Sequence, residues 1–98
     1  MNLDDHCKAC LQKFGNEFRE VHEWLDEYHT PTRGIFHRKY RHHWKGIKEA
    51  EERFGEEGGK AAKLHISQDF FGYIPSVGDY YREYFWEEMG EREKRNKK

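Results

Sequence analysis

Residues 34–55, Gly-Ile-Phe-His-Arg-Lys-Tyr-Arg-His-His-Trp-Lys-Gly-Ile-Lys-Glu-Ala-Glu-Glu-Arg-Phe-Gly, constrain the fold more than any other stretch. Phe36, Tyr40, His43, Ile47, Ala50 and Phe54 recur at spacings of three and four, the period of one helix face. The pattern predicts one long central helix whose apolar stripe contains a histidine. A histidine in a buried stripe must be satisfied by other polar groups, so the stripe also predicts a polar centre. His42 points roughly 100° away around the same helix and is the weaker candidate for that centre.

Other helices are expected on both sides. Residues 2–14 read as a first helix with Asn2 or Asp4 as N-cap, Leu3, Cys7, Cys10, Leu11 and Phe14 on one face, His6 beside it, and Gly15 as the stop. A second helix is expected from Asn16 to Tyr28, with Phe18, Val21, His22 and Leu25 buried. His22 and Asp26 are four apart and share one surface. His29 to Gly34 is a connector in which Thr30-Pro31 can open the next helix. Gly46 is unfavourable inside a helix and predicts the close approach of another element beside His43. Glu56-Glu-Gly-Gly59 reads as a flexible loop, followed by a short helix from Ala61 to Phe71 that repeats the four-residue spacing with His65 and Asp69. Ser76 can cap a last helix carrying Val77, Tyr80, Tyr81, Tyr84, Phe85 and Met89. No alternating strand pattern or internal repeat is present, and residues 60–64, the one candidate extended piece, have no partner strand. The expected fold is all-α, a compact bundle of four to five helices in a single domain over residues 1–90. Residues 91–98, charged and without apolar side chains, are expected to be a frayed or disordered tail.

Only 35% of the chain is hydrophobic but 16% is aromatic, so the core should be small and built from rings. Eighteen Lys and Arg against 19 Asp and Glu leave a net charge of −1, which removes the bulk electrostatic argument for nucleic-acid or membrane binding. Arg33, Arg38, Lys39, Arg41, Lys45 and Lys48 line the central helix with Tyr40 and Trp44. The acidic residues from Glu49 onward favour a solvated face there over a nucleic-acid surface. Without a spanning segment or a signal-peptide core behind Met-Asn-Leu-Asp-Asp, the chain reads as cytoplasmic. In such a compartment Cys7-x-x-Cys10 suggests metal or redox chemistry before a disulfide. A zinc knuckle would need a second ligand pair, so half-buried thiols in the first helix are the preferred reading.

Most of the chain also follows a familiar order of residues: His6, Phe14-Gly15, His22-Glu-Trp24-Leu-Asp26, His37-Arg38, Arg41-His42-His43, Gly46-Ile47, Glu51 or Glu52 with Phe54-Gly55, His65, Asp69 and Ile74-Pro75. Over residues 6 to about 80 the chain resembles a family of small uncharacterised domains from microbes and their viruses. The resemblance implies relatives but no established activity. Cys7, Cys10 and the charged tail lie outside the shared pattern.

Two His/Asp pairs around a central histidine are the chemistry-bearing constellation. His22, Asp26, His43, His65 and Asp69 offer four or five ligands for a divalent metal, with His37, His42 and Glu49 as alternative or supporting members. Imidazole and carboxylate donors suit zinc, manganese or iron, zinc first, and bundle cores assemble such sites from several helices. The chain then reads as a metal-binding domain. If it is an enzyme, the expected chemistry is metal-assisted hydrolysis of a phosphoester or amide, with an aspartate or Glu49 accepting the proton. The same side chains can instead form a purely structural hydrogen-bonded cluster, or a metal-free catalytic site. In the structural case the chain is a non-enzymatic interaction protein, such as a viral or mobile-element accessory protein acting on an unknown protein partner. Tyr73, Tyr80, Tyr81, Tyr84, Phe85 and Trp86 are a surplus of rings around the last helix and predict an interface, with a second copy of the chain as the partner of a homodimer or other homo-oligomer.

Overall fold

In the computed structural model, which describes residues 2–96, the first helix (α1) runs from Leu3 to Phe14 between the caps its sequence supplies. Asn2 Oδ1 accepts from the Asp5 N–H at 2.9 Å, and Gly15, at φ 77°, ends the helix by donating to the Leu11 carbonyl. α1 buries Cys7 and Cys10 as expected, but also His6, at 1% exposure, while Leu11 stays half exposed. The second helix (α2) covers Arg19–Leu25, shorter than residues 16–28. Asn16 caps the turn before it, accepting from the Phe18 N–H, and Phe18 itself is left-handed at φ 52°. Beyond Leu25 the chain turns away, and Asp26 leaves the helical conformation at ψ 8°.

The central stretch is not one helix. Residues Gly34–His37 form a 3₁₀ turn, Arg38–Arg41 a single α turn (α3), and after a break at His42 and His43 the helix Trp44–Phe54 (α4) begins. Long-range bonds take the backbone groups that a continuous helix would use. The Trp44 N–H donates to the Pro75 carbonyl at 3.0 Å, and the Tyr80 hydroxyl donates to the His42 carbonyl. His43, extended at φ −161°, becomes the N-cap of α4, and its Nδ1 accepts from the Gly46 N–H at 2.9 Å. Gly46 does admit a close neighbour, the Arg41 carbonyl: a Cβ at position 46 would lie 1.8 Å from that oxygen.

Glu56-Glu-Gly-Gly59 is not a loop. Gly55, at φ 86°, turns the chain, and a helix (α5) runs from Glu56 to Asp69, so residues 60–64 are helical too. The glycines serve close packing there: a Cβ on Gly58 would meet the Phe54 Cβ at 2.4 Å, and one on Gly59 the Glu51 Cβ at 2.9 Å. Small residues let α5 sit tightly against α4, and Ala50, Ala61 and Ala62 are fully buried in that contact layer.

After α5, Asp79 organises residues 73–82. Its carboxylate accepts from the Tyr73 hydroxyl, the Ser76 N–H and the Arg82 guanidinium, and a 3₁₀ turn covers Gly78–Tyr81. Ser76 caps that turn, and the last helix (α6) starts only at Phe85 and runs to Asn96. The charged end is therefore helical where a frayed tail was expected; Arg92 ties it down by donating to the Phe70 and Phe71 carbonyls, and residues 97–98 lie outside the described residues. Of the surplus rings, Phe85 is buried and Tyr80 and Trp86 pack against it, whereas Tyr81 is 82% and Tyr84 61% exposed. The described residues contain six α-helices and no strand, an all-α fold, and no helix among them is long and apolar enough to cross a membrane.

Candidate metal centre

Asp26, His42, His65 and Asp69 converge where α2, the α3/α4 break and α5 meet, and their ligand atoms all lie within 4.8 Å of one another. His65 and Asp69 share one face of α5 by their spacing of four. His42 enters because the break turns it inward, and Asp26 because α2 has already ended. Asp26 Oδ1 stands 3.4 Å from both His42 Nε2 and His65 Nε2, and Asp69 Oδ2 stands 3.2 Å from both. Both histidines are fully buried, and neither Nε2 has a hydrogen-bond partner despite its flanking carboxylates. Buried ring nitrogens are almost always bonded, so a pair of orphans aimed at one point requires an explanation.

A second layer orients this group. His22 Nε2 is 3.0 Å from the Glu17 carbonyl, which can only accept, so that nitrogen carries the proton. His22 Nδ1 then accepts from His65 Nδ1–H at 2.8 Å, and a neutral His65 is left with its lone pair on Nε2, toward the centre. Burial, together with the neighbouring His65 and His6, lowers the His22 pKa to about 4, so His22 stays neutral. His6 stacks on His65 at 3.6 Å between ring centroids, and its Nε2 lies 3.2 Å from Asp69 Oδ1. Arg38 Nη2 is 3.8 Å from the same oxygen. His37 donates from Nδ1 to the Gly34 carbonyl at 2.7 Å and turns Nε2 to within 3.0 Å of Asp26 Oδ1.

The electrostatics follow from this packing. Burial alone would raise both carboxyl pKa values, but His37, His42 and His65 hold Asp26 far below the usual carboxylate range, and His42, His6 and His65 do the same for Asp69. His65 is likewise pulled two ways: burial disfavours its charge, and the two aspartates outweigh burial and raise its pKa.

The structure thus brings together Asp26, His65 and Asp69 of the expected ligands and adds His42, which had been the weaker of the adjacent pair. His22 stands one step behind, reaching the centre only through His65. His43 is elsewhere, with Nδ1 committed to Gly46 and Nε2 donating to the Tyr40 carbonyl at 3.2 Å. Its pKa is lowered by burial. Glu49 sits on α4, where its charge is felt by His43, and does not belong to the ligand group. His6 was missed as a member of the centre. The signal was present, because spacings of three from Leu3 and four from Cys10 put it on the apolar face of α1.

Cys7 and Cys10 are buried free thiols whose pKa values burial raises, Cys10 to about 11, so they remain protonated and apolar in character. Arg41, expected on a basic face, instead lies over the Trp24 ring and donates to the Trp24 carbonyl at 2.6 Å.

The fold and the site together define an all-α domain with a buried His/Asp centre able to hold a metal ion. The chain belongs to the family described as Domain of unknown function (DUF6915), whose family model matches residues 1–89. No curated protein and no solved structure matches it.

Proposed function

We propose that Asp26, His42, His65 and Asp69 hold one divalent metal ion, zinc by preference, and that the domain uses it in hydrolysis. The observation that carries this reading is metric. A tetrahedron with metal–ligand bonds of about 2.0–2.1 Å has edges of about 3.3 Å. Four of the six edges of the ligand group measure 3.2 to 3.4 Å. Two carboxylates and two neutral imidazoles also balance the charge of a divalent cation, and nitrogen and oxygen donors in this number suit zinc. A purely structural cluster fits less well, since it would satisfy His42 Nε2 and His65 Nε2 by hydrogen bonds that neither atom has.

The neighbouring surface favours a reactive centre. An open pocket of about 540 Å³ reaches Asp26 and Asp69 and is lined also by His37, Arg38 and Ile35. The four protein ligands complete a tetrahedron, so a divalent ion there would take a water molecule or a phosphoryl or carbonyl oxygen as a fifth ligand from the pocket side, lowering the pKa of the water or polarising the oxygen. His37, which donates from Nδ1 to the Gly34 carbonyl and meets Asp26 Oδ1 with Nε2 at 3.0 Å, would orient that ligand carboxylate from the pocket wall.

Protein purified without added zinc is expected to carry one equivalent of metal per chain by elemental analysis. Its melting temperature should fall in chelator, by about 15–30 °C if the site is filled to about a thousand times its Kd, since that linkage contributes about 4 kcal/mol. Because His65 must lose its proton to bind the ion and its pKa is raised, affinity should fall as the pH drops through that value. Absence of metal together with an unchanged melting temperature in chelator would overturn the reading.

The histidine behind the centre supplies a sharper check. His22→Ala removes the acceptor that fixes the His65 tautomer while leaving every ligand in place. It is expected to weaken zinc roughly 10- to 100-fold, as measured by competition with a chromophoric chelator, with one equivalent still bound at saturation.

A further inference from the structure

We propose that the pocket beside the His/Asp centre is a binding site for a phosphate ester, with the Arg38 guanidinium holding the phosphoryl group against the bound ion; this rests on the metal reading above. Arg38 is positioned by packing more than by hydrogen bonds. Its guanidinium lies over the Phe70 ring at 5.0 Å, its Nη1 reaches the Asp69 carbonyl only at 3.4 Å, and its Nη2 stands 3.8 Å from Asp69 Oδ1. Its Nε has no partner. The side chain is therefore held beside the ligand carboxylate with donor capacity unspent. It keeps 19% of its surface exposed and lines the pocket.

The charge of the pocket points the same way. Among the described residues its carboxylates are Asp26 and Asp69, both ligands of the ion, and its other ionisable residues are Arg38, His29 and His37. Once a divalent ion offsets the two aspartates, Arg38 leaves the pocket net positive, which calls for an anion. A phosphoryl group has enough oxygens to present one to the ion and a pair to the planar fork of an arginine, the geometry in which a guanidinium differs most from an ammonium. The organic part of the ester has Leu3 and the 51% exposed Ile35 as its apolar wall.

The test uses the full chain, freed of unbound zinc by gel filtration, with its metal content measured first. Inorganic phosphate is then titrated and followed by calorimetry and by ³¹P line broadening, with acetate as the carboxylate control. Saturable phosphate binding is expected, at least tenfold tighter than acetate. Arg38→Met keeps the stem over Phe70 and should weaken phosphate tenfold or more at unchanged zinc content, and Arg38→Lys should restore only part of the affinity. Ile35→Glu, at an exposed rim position outside the core, places a carboxylate in the pocket and should weaken phosphate as well. A zinc-loaded wild type that ignores phosphate, an equal affinity for acetate, or wild-type phosphate binding by both Arg38→Met and Ile35→Glu would overturn the proposal while leaving the metal reading intact. A protein without bound metal would overturn the metal reading itself, and this proposal with it.

Discussion

Asp69→Ala is expected to abolish stoichiometric metal binding and to cost the metal-free protein about 3–5 kcal/mol, the usual penalty for deleting one member of a buried charge set. Asp69 is the side chain on which most of the centre depends: His42 and His65 face one of its oxygens, and His6 and Arg38 face the other. For a chain of this size such a loss lowers the melting temperature by about 15–30 °C. The pH profile separates the charge from mere loss of packing. The folded Asp69 pKa lies below its ordinary value of 3.8, so its contribution is present above that pH and is lost as the pH falls through the depressed value. The folded His65 pKa lies above 6.5, so its contribution is complete below 6.5 and is lost as the pH rises through the raised value. Chelated wild-type protein should accordingly be most stable between those limits, and the variant should show a flatter profile. A melting temperature within about 2 °C of wild type in chelator would show that the carboxylate does not hold the centre together.

Gly46→Ala is expected to be the most damaging single-methyl change in the chain. The added Cβ would lie 1.8 Å from the Arg41 carbonyl oxygen and 2.7 Å from its carbon, and backbone cannot swing aside as a long side chain does. Relief requires opening the turn at residues 41–43, which aims His42 at Asp26 and Asp69 and seats His43 as the cap of α4. In an unencumbered helix glycine to alanine gains up to about 1 kcal/mol. Here overpacking should reverse the sign, with a loss of about 3 kcal/mol in denaturant titration and weakened zinc binding through the displaced His42. Gly90→Ala is the internal control. That glycine lies within α6 with nothing within 4 Å of an added Cβ, so the same substitution should leave stability unchanged or raise it. Equal effects at the two positions would mean that the Arg41 contact is not restrictive.

What could be read along the chain was whatever depends on near neighbours. Asn2 and Gly15 delimit α1 because capping is a contact over three or four residues, and His65 with Asp69 share a face because the helix repeat puts them there. The adjacent histidines show where such reasoning stops. A continuous 3.6-residue period assigns His43 to the inner stripe and His42 to a side, but a break at residues 42–43 leaves Ile47, Ala50 and Phe54 at the same helical spacing while Phe36, before it, ends half exposed. The Pro75 carbonyl, taking the Trp44 N–H, and the Tyr80 hydroxyl, taking the His42 carbonyl, decide for the break, and both come from more than thirty residues away. Gly58 and Gly59 misled for the same reason: glycine permits both a mobile loop and a close helix contact, and only the presence of Phe54 and Glu51 against them selects the second.

The sequence by itself determined the all-α class, the residue types of the centre and the local pairing of His65 with Asp69, because periodicity, capping and the helix repeat act within a few residues. Only the tertiary structure decided that His42 faces the centre while His43 caps a helix, that Asp26 leaves His22 for His37, His42 and His65, and that His6 closes over His65. Those choices turn on which distant group takes each backbone hydrogen bond and where each helix stops, and no local period carries that information.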